Sequence, residues 1–164
     1  MTDTMELGQR LVEGVRAAVK DRGPYWMYPL FNGTNPEWFA DNDPYVASWD
    51  PDNPDPVIAN EGVTSTCRNF LPDGTPACIV GYAAHYAGLD IPACGGVGDI
   101  FVGEEDADSG YASAFTFSGE PKIAVPRAVL LALVEAQDIQ DTRHTWGVAL
   151  EEFELRLKGM GWKE

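Results

Sequence analysis

The clearest hydrophobic pattern lies near the start of the chain, where apolar residues recur at helical spacing on one face. These residues are Leu7, Leu11, Val12, Val15, Ala18 and Val19. Asp3 or Thr4 can cap the start of such a helix, and Gly23-Pro24 follows its basic last turn. The pattern therefore predicts an amphipathic helix that ends at Gly23.

Two further helices are predicted at the other end of the chain. The first opens at Pro126 and ends near Thr142, and the second follows a Thr145 cap and ends at Gly159 and Gly161. Their inner faces are predicted to hold Val129, Leu130, Leu133, Val134 and Gln137 in one helix, and Trp146, Ala149, Leu150, Phe153 and Leu157 in the other. The short connection predicts an antiparallel helical hairpin.

A fourth helix is predicted in the middle of the chain. It should run from Pro76 to about Ala87, capped by Thr75 and ended by Gly88. Gly81 lies inside it, where glycine costs about 1 kcal/mol relative to alanine. We expect close packing against another element at this position to offset that cost.

Short alternating segments predict the strands. Val57–Ala59 and Val63–Phe70 read as a hairpin, and Asp99–Val102 and Tyr111–Phe117 read as two further strands. The expected fold class is α+β, with a small antiparallel sheet of about four short strands packed with about four helices. The 164 residues fit one domain, with a Pro/Asp-rich acidic loop at about 41–56.

Tyr45 and Trp49 are expected to hold the acidic loop at 41–56 in place. A denser group of aromatic residues lies in the stretch 25–39, which has neither helical nor strand periodicity. Two interpretations remain open for it. The aromatic residues either wrap the first helix onto the body of the protein or form an exposed surface that contacts a partner.

Charge is distributed unevenly along the chain. Residues 23–121 contain fifteen acidic side chains and one basic one, Arg68, and so carry nearly all of the net charge of −15. Such a field repels nucleic acid and anionic membranes and attracts basic proteins, although it also serves solubility. We expect no direct nucleic-acid binding and no membrane association. The lack of an apolar run or a signal-like start favours the cytoplasm.

Cys78 and His85 are the pair most suggestive of catalysis. A thiol near a helix start with a histidine nearby can be a nucleophile. Seven residues on one helix, however, separate them by about 10 Å along the axis. The alternative is that Cys78 is a small packed side chain. A pocket near Cys78, His85 and Gln137 would make the chain a small enzyme or ligand-binding protein.

Metal sites are weakly indicated. Cys67, Cys78, His85 and Cys94 lack the close ligand pairs of structural zinc sites, and a Cys67–Cys78 disulfide is doubtful beside the predicted helix start. The acidic runs at 50–55 and 104–110 do not follow the EF-hand spacing. Gly95–Gly98 lacks the context of a phosphate loop. We therefore expect no cofactor and no metal.

Gln137, Gln140 and Asp141 lie on neighbouring turns of the helix that opens at Pro126. They predict either a buried polar network between the last two helices or a small ligand site.

Two segments of the chain resemble a group of small proteins from actinobacteriophages and their hosts. They are C-I-V-G-Y-A-A-H-Y-A-G at Cys78–Gly88 and A-Q-D-I-Q-D…W-G-V-A-L at Ala136–Leu150. That group has a G-x-P-x-C-h-h-G-x-A-h helix, where h is apolar, and a later A-Q-x-x-Q-D-x-G-x-x-W-G-x-A segment. The resemblance covers about a third of the chain and departs at residues 142–145, which intervene before Trp146. It implies a phage or actinobacterial origin and brings no catalytic residue.

The function expected from these features is that of a non-enzymatic, phage-type accessory protein in the cytoplasm of a bacterial host. It would bind a host protein that has a basic surface, through an acidic surface that also contains aromatic residues. The expected binding residues are Trp26, Tyr28, Trp38, Tyr45, Trp49, Asp50, Asp52, Asp55, Glu104, Glu105, Asp106 and Asp108. A structural component of the virion is the third alternative.

Overall fold

The computed structural model describes both ends of the chain and parts of its middle. The described residues are 3–26, 28, 69–70, 74–93, 95–107, 115–116, 119–142 and 144–164. Their regular elements are α1 (Thr4–Arg22), α2 (Ile79–Tyr86), α3 (Val97–Ile100), β1 (Phe101–Gly103), β2 (Ile123–Val125), α4 (Arg127–Asp141) and α5 (Trp146–Gly159). Among the helices described here, none combines the length and apolar character needed to cross a bilayer.

Helix α1 confirms the first sequence prediction. The Asp3 side chain accepts a hydrogen bond from the amide of Met5, and Gly23 ends the helix with φ +92°. The whole apolar stripe from Leu7 to Val19 is buried. It packs mainly on α2 and also contacts α4, α5 and β2, so α1 lies at the centre of the fold.

The predicted four-stranded antiparallel sheet is wrong. In the described residues, β1 and β2 form a two-stranded parallel sheet with Phe101 opposite Ile123 and Gly103 opposite Val125. A parallel pair requires a crossover connection between its two strands, so a tight hairpin turn cannot join β1 to β2. The predicted strands that begin at Val57 and Val63 lie outside the described residues, apart from 69–70.

The predicted strand Asp99–Val102 is also corrected. Residues 97–100 form helix α3, because Asp99 Oδ2 accepts a hydrogen bond from the amide of Gly96 and the amide of Asp99 donates back to the Gly96 carbonyl. Only Phe101 onward is extended. Of the predicted strand Tyr111–Phe117, the structure describes 115–116, where Phe115 bridges Pro121 in antiparallel fashion.

Helix α2 begins three residues later than predicted. Pro76 makes an antiparallel bridge with Phe70, so the chain is still extended there. Cys78, rather than Thr75, is the residue that caps the helix. The predicted end is correct, because Gly88 has φ +74° directly after the last turn.

Two glycines allow backbones to approach closely at α2. A Cβ atom added to Gly14 of α1 would lie 2.6 Å from the Cα atom of Ala83, at the crossing of α1 and α2. A Cβ atom added to Gly81 would lie 1.9 Å from the backbone oxygen of Asn69. The close packing predicted from an interior Gly81 is thus confirmed.

Helices α4 and α5 form the predicted hairpin, joined by residues 142–145. The inner face of α4 is turned slightly from the predicted one. Ala132 and Ala136 are fully buried, whereas Leu130 and Val134 are only partly buried. The inner face of α5 is as predicted, except that Leu150 is half-buried.

An ion pair links α1 to α5. Arg16 donates from Nε to Oε1 of Glu154 at 2.7 Å and from Nη2 to Oε2 at 3.0 Å, and it also pairs with Glu164. The hydrogen bond from Arg16 holds the pKa of Glu154 below its usual value. The last residues of the chain are thereby held against the first helix.

The Gly81 contact can be tested with two Gly→Ala variants. We expect Gly81→Ala to lower the free energy of unfolding by about 3 kcal/mol or more, because the methyl group would overlap the fixed Asn69 backbone. Gly159→Ala is the matched control, since a Cβ atom there meets nothing within 4 Å. Its stability should be unchanged or up to about 1 kcal/mol higher. Urea denaturation of both variants measures this, and equal stabilities would contradict the packing described here.

Candidate functional site

Cys78 is a capping residue with no accessible surface. Its Sγ atom accepts a hydrogen bond from the amide of Gly81 at 3.3 Å and donates to Oδ1 of Asn69 at 3.2 Å. The sulfur therefore takes the place that an oxygen side chain usually fills at a helix start. Both its donor and its acceptor capacity are already used inside the protein.

Asn69 is the centre of a buried cluster of hydrogen bonds, and sequence reasoning missed it. Its backbone amide donates to the carbonyl of Ala93 at 2.7 Å, and its carbonyl accepts from the amide of Ala77 at 2.9 Å. Its Nδ2 donates to the carbonyls of Pro92 at 3.0 Å and Gly95 at 3.4 Å. A completely buried asparagine needs such partners, because an unpaired amide in the core costs about 1–3 kcal/mol.

Gln137 and Gln140 each accept a hydrogen bond from the first amide of another helix. Oε1 of Gln140 accepts from the Ile79 amide at 2.8 Å, at the start of α2. Oε1 of Gln137 accepts from the Val97 amide at 2.9 Å, at the start of α3. The polar network predicted between the last two helices instead joins α4 to these two helix starts, which lack intrahelical acceptors for their first amides.

Asp141 lies at the edge of this network. Nε2 of Gln140 donates to its Oδ1 at 3.1 Å. Burial raises the pKa of Asp141 to about 6, although the Gln140 hydrogen bond lowers it and the nearby charge of Asp138 raises it further. The carboxyl group is therefore less stable as an anion in the folded protein than in the unfolded chain.

The structure does not bring Cys78 and His85 together around a pocket. His85 is exposed on α2, whereas the Cys78 side chain has no accessible surface and so lines no pocket that solvent can enter. Cys67, Cys94 and Arg68 lie outside the described residues. Within the described ranges, no group of three or more His, Cys, Asp or Glu side chains is arranged to hold a metal ion.

The described aromatic residues hold α1 against α5. The guanidinium carbon of Arg22 lies 4.9 Å from the centre of the Trp26 ring and 5.6 Å from that of Tyr82. Trp146 meets both rings edge to face, at 6.4 and 5.8 Å. The amide of Trp146 also donates to the Trp26 carbonyl at 2.7 Å. These contacts agree with the wrapping interpretation of this stretch.

Two of the predicted binding residues, Trp26 and Tyr28, lie in the described part of this stretch and pack against the protein. Trp26 is partly buried and packs on Arg22 and Trp146, while Tyr28 is only 2% exposed. Tyr25, in contrast, is 88% exposed. Trp38, Tyr45, Trp49, Asp50, Asp52, Asp55 and Asp108 lie outside the described residues.

Glu104, Glu105 and Asp106 form an exposed acidic turn directly after β1. The Glu104 amide donates to the carbonyl of Val125, which extends the pairing with β2. Thr4 donates from Oγ1 to Oε2 of Glu104 at 2.8 Å, and Nε of Arg127 lies 3.7 Å from Oε1 of Glu105. The turn is thus held to the starts of α1 and α4 while its carboxylates face solvent.

Comparison with known proteins adds no assignment: no family model, curated protein or solved structure matches this chain.

The buried thiol leads to a chemical prediction. Native Cys78 should resist iodoacetamide and react only after denaturation, because its sulfur is enclosed and engaged in two hydrogen bonds. Digestion and mass spectrometry of the peptide that contains Cys78 measure its modification separately from that of the other thiols. Rapid alkylation of Cys78 in the native protein would contradict the capping role and favour a reactive thiol.

Asp141 predicts how stability depends on pH. Folding raises the pKa of Asp141 from 3.8 to about 6. Its contribution to the free energy of unfolding is therefore complete below about pH 4 and is lost as the pH rises through 6. Asp141→Asn should match the wild type at pH 4 and exceed it at pH 7 by about 1–2 kcal/mol, after allowance for partial solvent exposure.

Asp138→Asn is the control for this measurement, since Asp138 is exposed and acts on Asp141 only through its charge. Its gain at pH 7 should be smaller than that of Asp141→Asn. Urea denaturation at the two pH values measures both variants. A constant difference between Asp141→Asn and wild type across this range would contradict the effect of burial.

Proposed function

We propose that this chain is a non-enzymatic, phage-type accessory protein that binds a host protein with a basic surface. The observation that supports this most directly is the acidic turn at Glu104–Asp106, which is exposed and held in place by contacts with α1, β2 and α4. A fixed, exposed array of like charge suits recognition of an oppositely charged protein surface.

The placement of the basic residues also supports the proposal. Arg10 pairs with Glu6, and Arg16 pairs with Glu154 and Glu164. The ammonium group of Lys122 donates to the carbonyl of Gly98 at 2.6 Å. These ion pairs neutralise carboxylates that lie outside the acidic turn. At the turn, Nε of Arg127 lies 3.7 Å from Oε1 of Glu105.

The polar side chains that first suggested chemistry are occupied in capping. Cys78, Gln137 and Gln140 each satisfy a backbone amide at a helix start. Groups committed to such contacts are poorly suited to bind or attack a substrate, since the helix start would lose its partner. This favours the binding protein over the small enzyme as the proposed function.

The proposal predicts that neutralising the acidic turn weakens partner capture. The test variant is Glu104→Gln, Glu105→Gln and Asp106→Asn, which keeps the side-chain shapes and the acceptor for Thr4. The matched control removes three exposed charges elsewhere: Asp21→Asn, Asp138→Asn and Glu151→Gln. Both variants have the same net charge, so a difference between them reports position and not total charge.

The measurement is affinity capture on the immobilised protein from an actinobacterial lysate, with quantitative mass spectrometry of the bound proteins. We expect a basic protein that is retained at about 0.1 M salt and released at about 1 M, where charges are screened within about 3 Å. The turn variant should retain it about tenfold less than wild type, and the control should lose less than twofold. Equal retention by all three proteins, or no salt-sensitive partner, would argue against the proposal.

A further inference from the structure

An open groove of about 320 Å³ lies on the α4–α5 hairpin. One of its residues comes from α4, and the others come from α5 and the residue that follows it. The lining consists of Glu135, Glu152, Leu155, Arg156, Gly159 and Met160. The groove has no part in the capping network or the acidic turn.

Apolar side chains are exposed along this groove. Leu155 is 56% exposed and Met160 is 38% exposed. Val148, seven residues before Leu155 and on the same face of α5, is 37% exposed. A run of apolar residues on the surface, bordered by charged ones, is typical of a site that contacts another molecule.

Two carboxylates and one guanidinium line the groove, those of Glu135, Glu152 and Arg156. Glu135 and Glu152 are both half-buried and come from different helices. In the described part of the chain, neither has an ion pair or a hydrogen bond from a side chain, although Arg156 lines the same groove. Two acidic residues and one basic residue leave the groove lining with a net negative charge, which favours a basic occupant.

We infer that this groove docks an amphipathic, basic helical segment of a partner protein. Apolar side chains of that segment would cover Leu155 and Met160, and a lysine or arginine would lie between Glu135 and Glu152. An open groove does not enclose a small ligand, whereas one face of a helix can lie along it. The inference rests on the proposed function, because it assigns a contact surface to the same basic partner.

Gly159 gives the inference a sharp test. Gly159 lines the groove, and a Cβ atom at this position meets nothing within 4 Å, so a larger side chain has open space to extend into. Gly159→Leu should therefore fold as well as wild type and block the site. Gly98→Leu is the matched control, since a Cβ atom there is equally unobstructed and the residue lies in α3, away from the groove lining.

The probe is a fluorescein-labelled 18-residue peptide of leucine and lysine patterned as an amphipathic helix. A scrambled peptide of identical composition accompanies it, and fluorescence anisotropy measures binding. The patterned peptide should bind wild type about tenfold more tightly than the scrambled one. Gly159→Leu should weaken that binding about tenfold, whereas Gly98→Leu should leave it within twofold. Replacing Glu135 and Glu152 with glutamine should weaken it and reduce its dependence on salt.

Three results would overturn the inference. They are equal binding of both peptides, equal binding of the patterned peptide to wild type and Gly159→Leu, and a dimer on a sizing column that Gly159→Leu abolishes. In the last case the occupant is a second copy of the chain. The variant neutralised at Glu104–Asp106 should still bind the patterned peptide. Lysate capture therefore tests the proposed function, and peptide binding to Gly159→Leu tests the groove as a docking site.

Discussion

The need to satisfy buried backbone amides at the start of α2 organises this fold. The backbone of Asn69 lies so close to Gly81 that no side chain fits between them. Amides enclosed in this way cannot bind water, so side chains must supply acceptors. Cys78 supplies one from within the α2 segment, and Gln140 supplies another from α4. The same constraint requires a glycine at position 81 and hydrogen-bond acceptors at positions 78 and 140, the last of which is distant in sequence.

This cap network also gives structural roles to residues whose chemistry suggested a site, namely Cys78, Gln137 and Gln140. Gln137 and Gln140 lie three residues apart on α4, so one helix satisfies two separate helix starts. The interior of the protein is therefore specified by polar contacts as well as by apolar packing. The charged residues of the acidic turn and of the α4–α5 groove lie at the surface, outside this network. Different residues therefore cap the helix starts and carry the surface charge.

Helices were more predictable from the sequence than strands, and the reason is physical. The α1 stripe extends over several turns, so its periodicity is unambiguous, and Gly81 inside an apolar helix indicated a close approach. Strands β1 and β2 contain three residues each, too few to show alternation, and β2 precedes Pro126 as a short apolar run. Asn69 gave no signal, because its side-chain amide group donates to the carbonyls of Pro92 and Gly95, which lie more than twenty residues away in the chain. Tyr28 was taken for a surface residue because aromatic composition alone does not distinguish burial from exposure.

The central position of α1 has a consequence for how the protein is made. This helix is synthesised before two residues that contact it. Glu154 pairs with Arg16, and Trp162 packs near Gly8. Until α5 has been made, the apolar stripe of α1 has only part of its cover. The nascent chain thus exposes part of an apolar helix face until α5 has been synthesised, and α1 completes its packing only then.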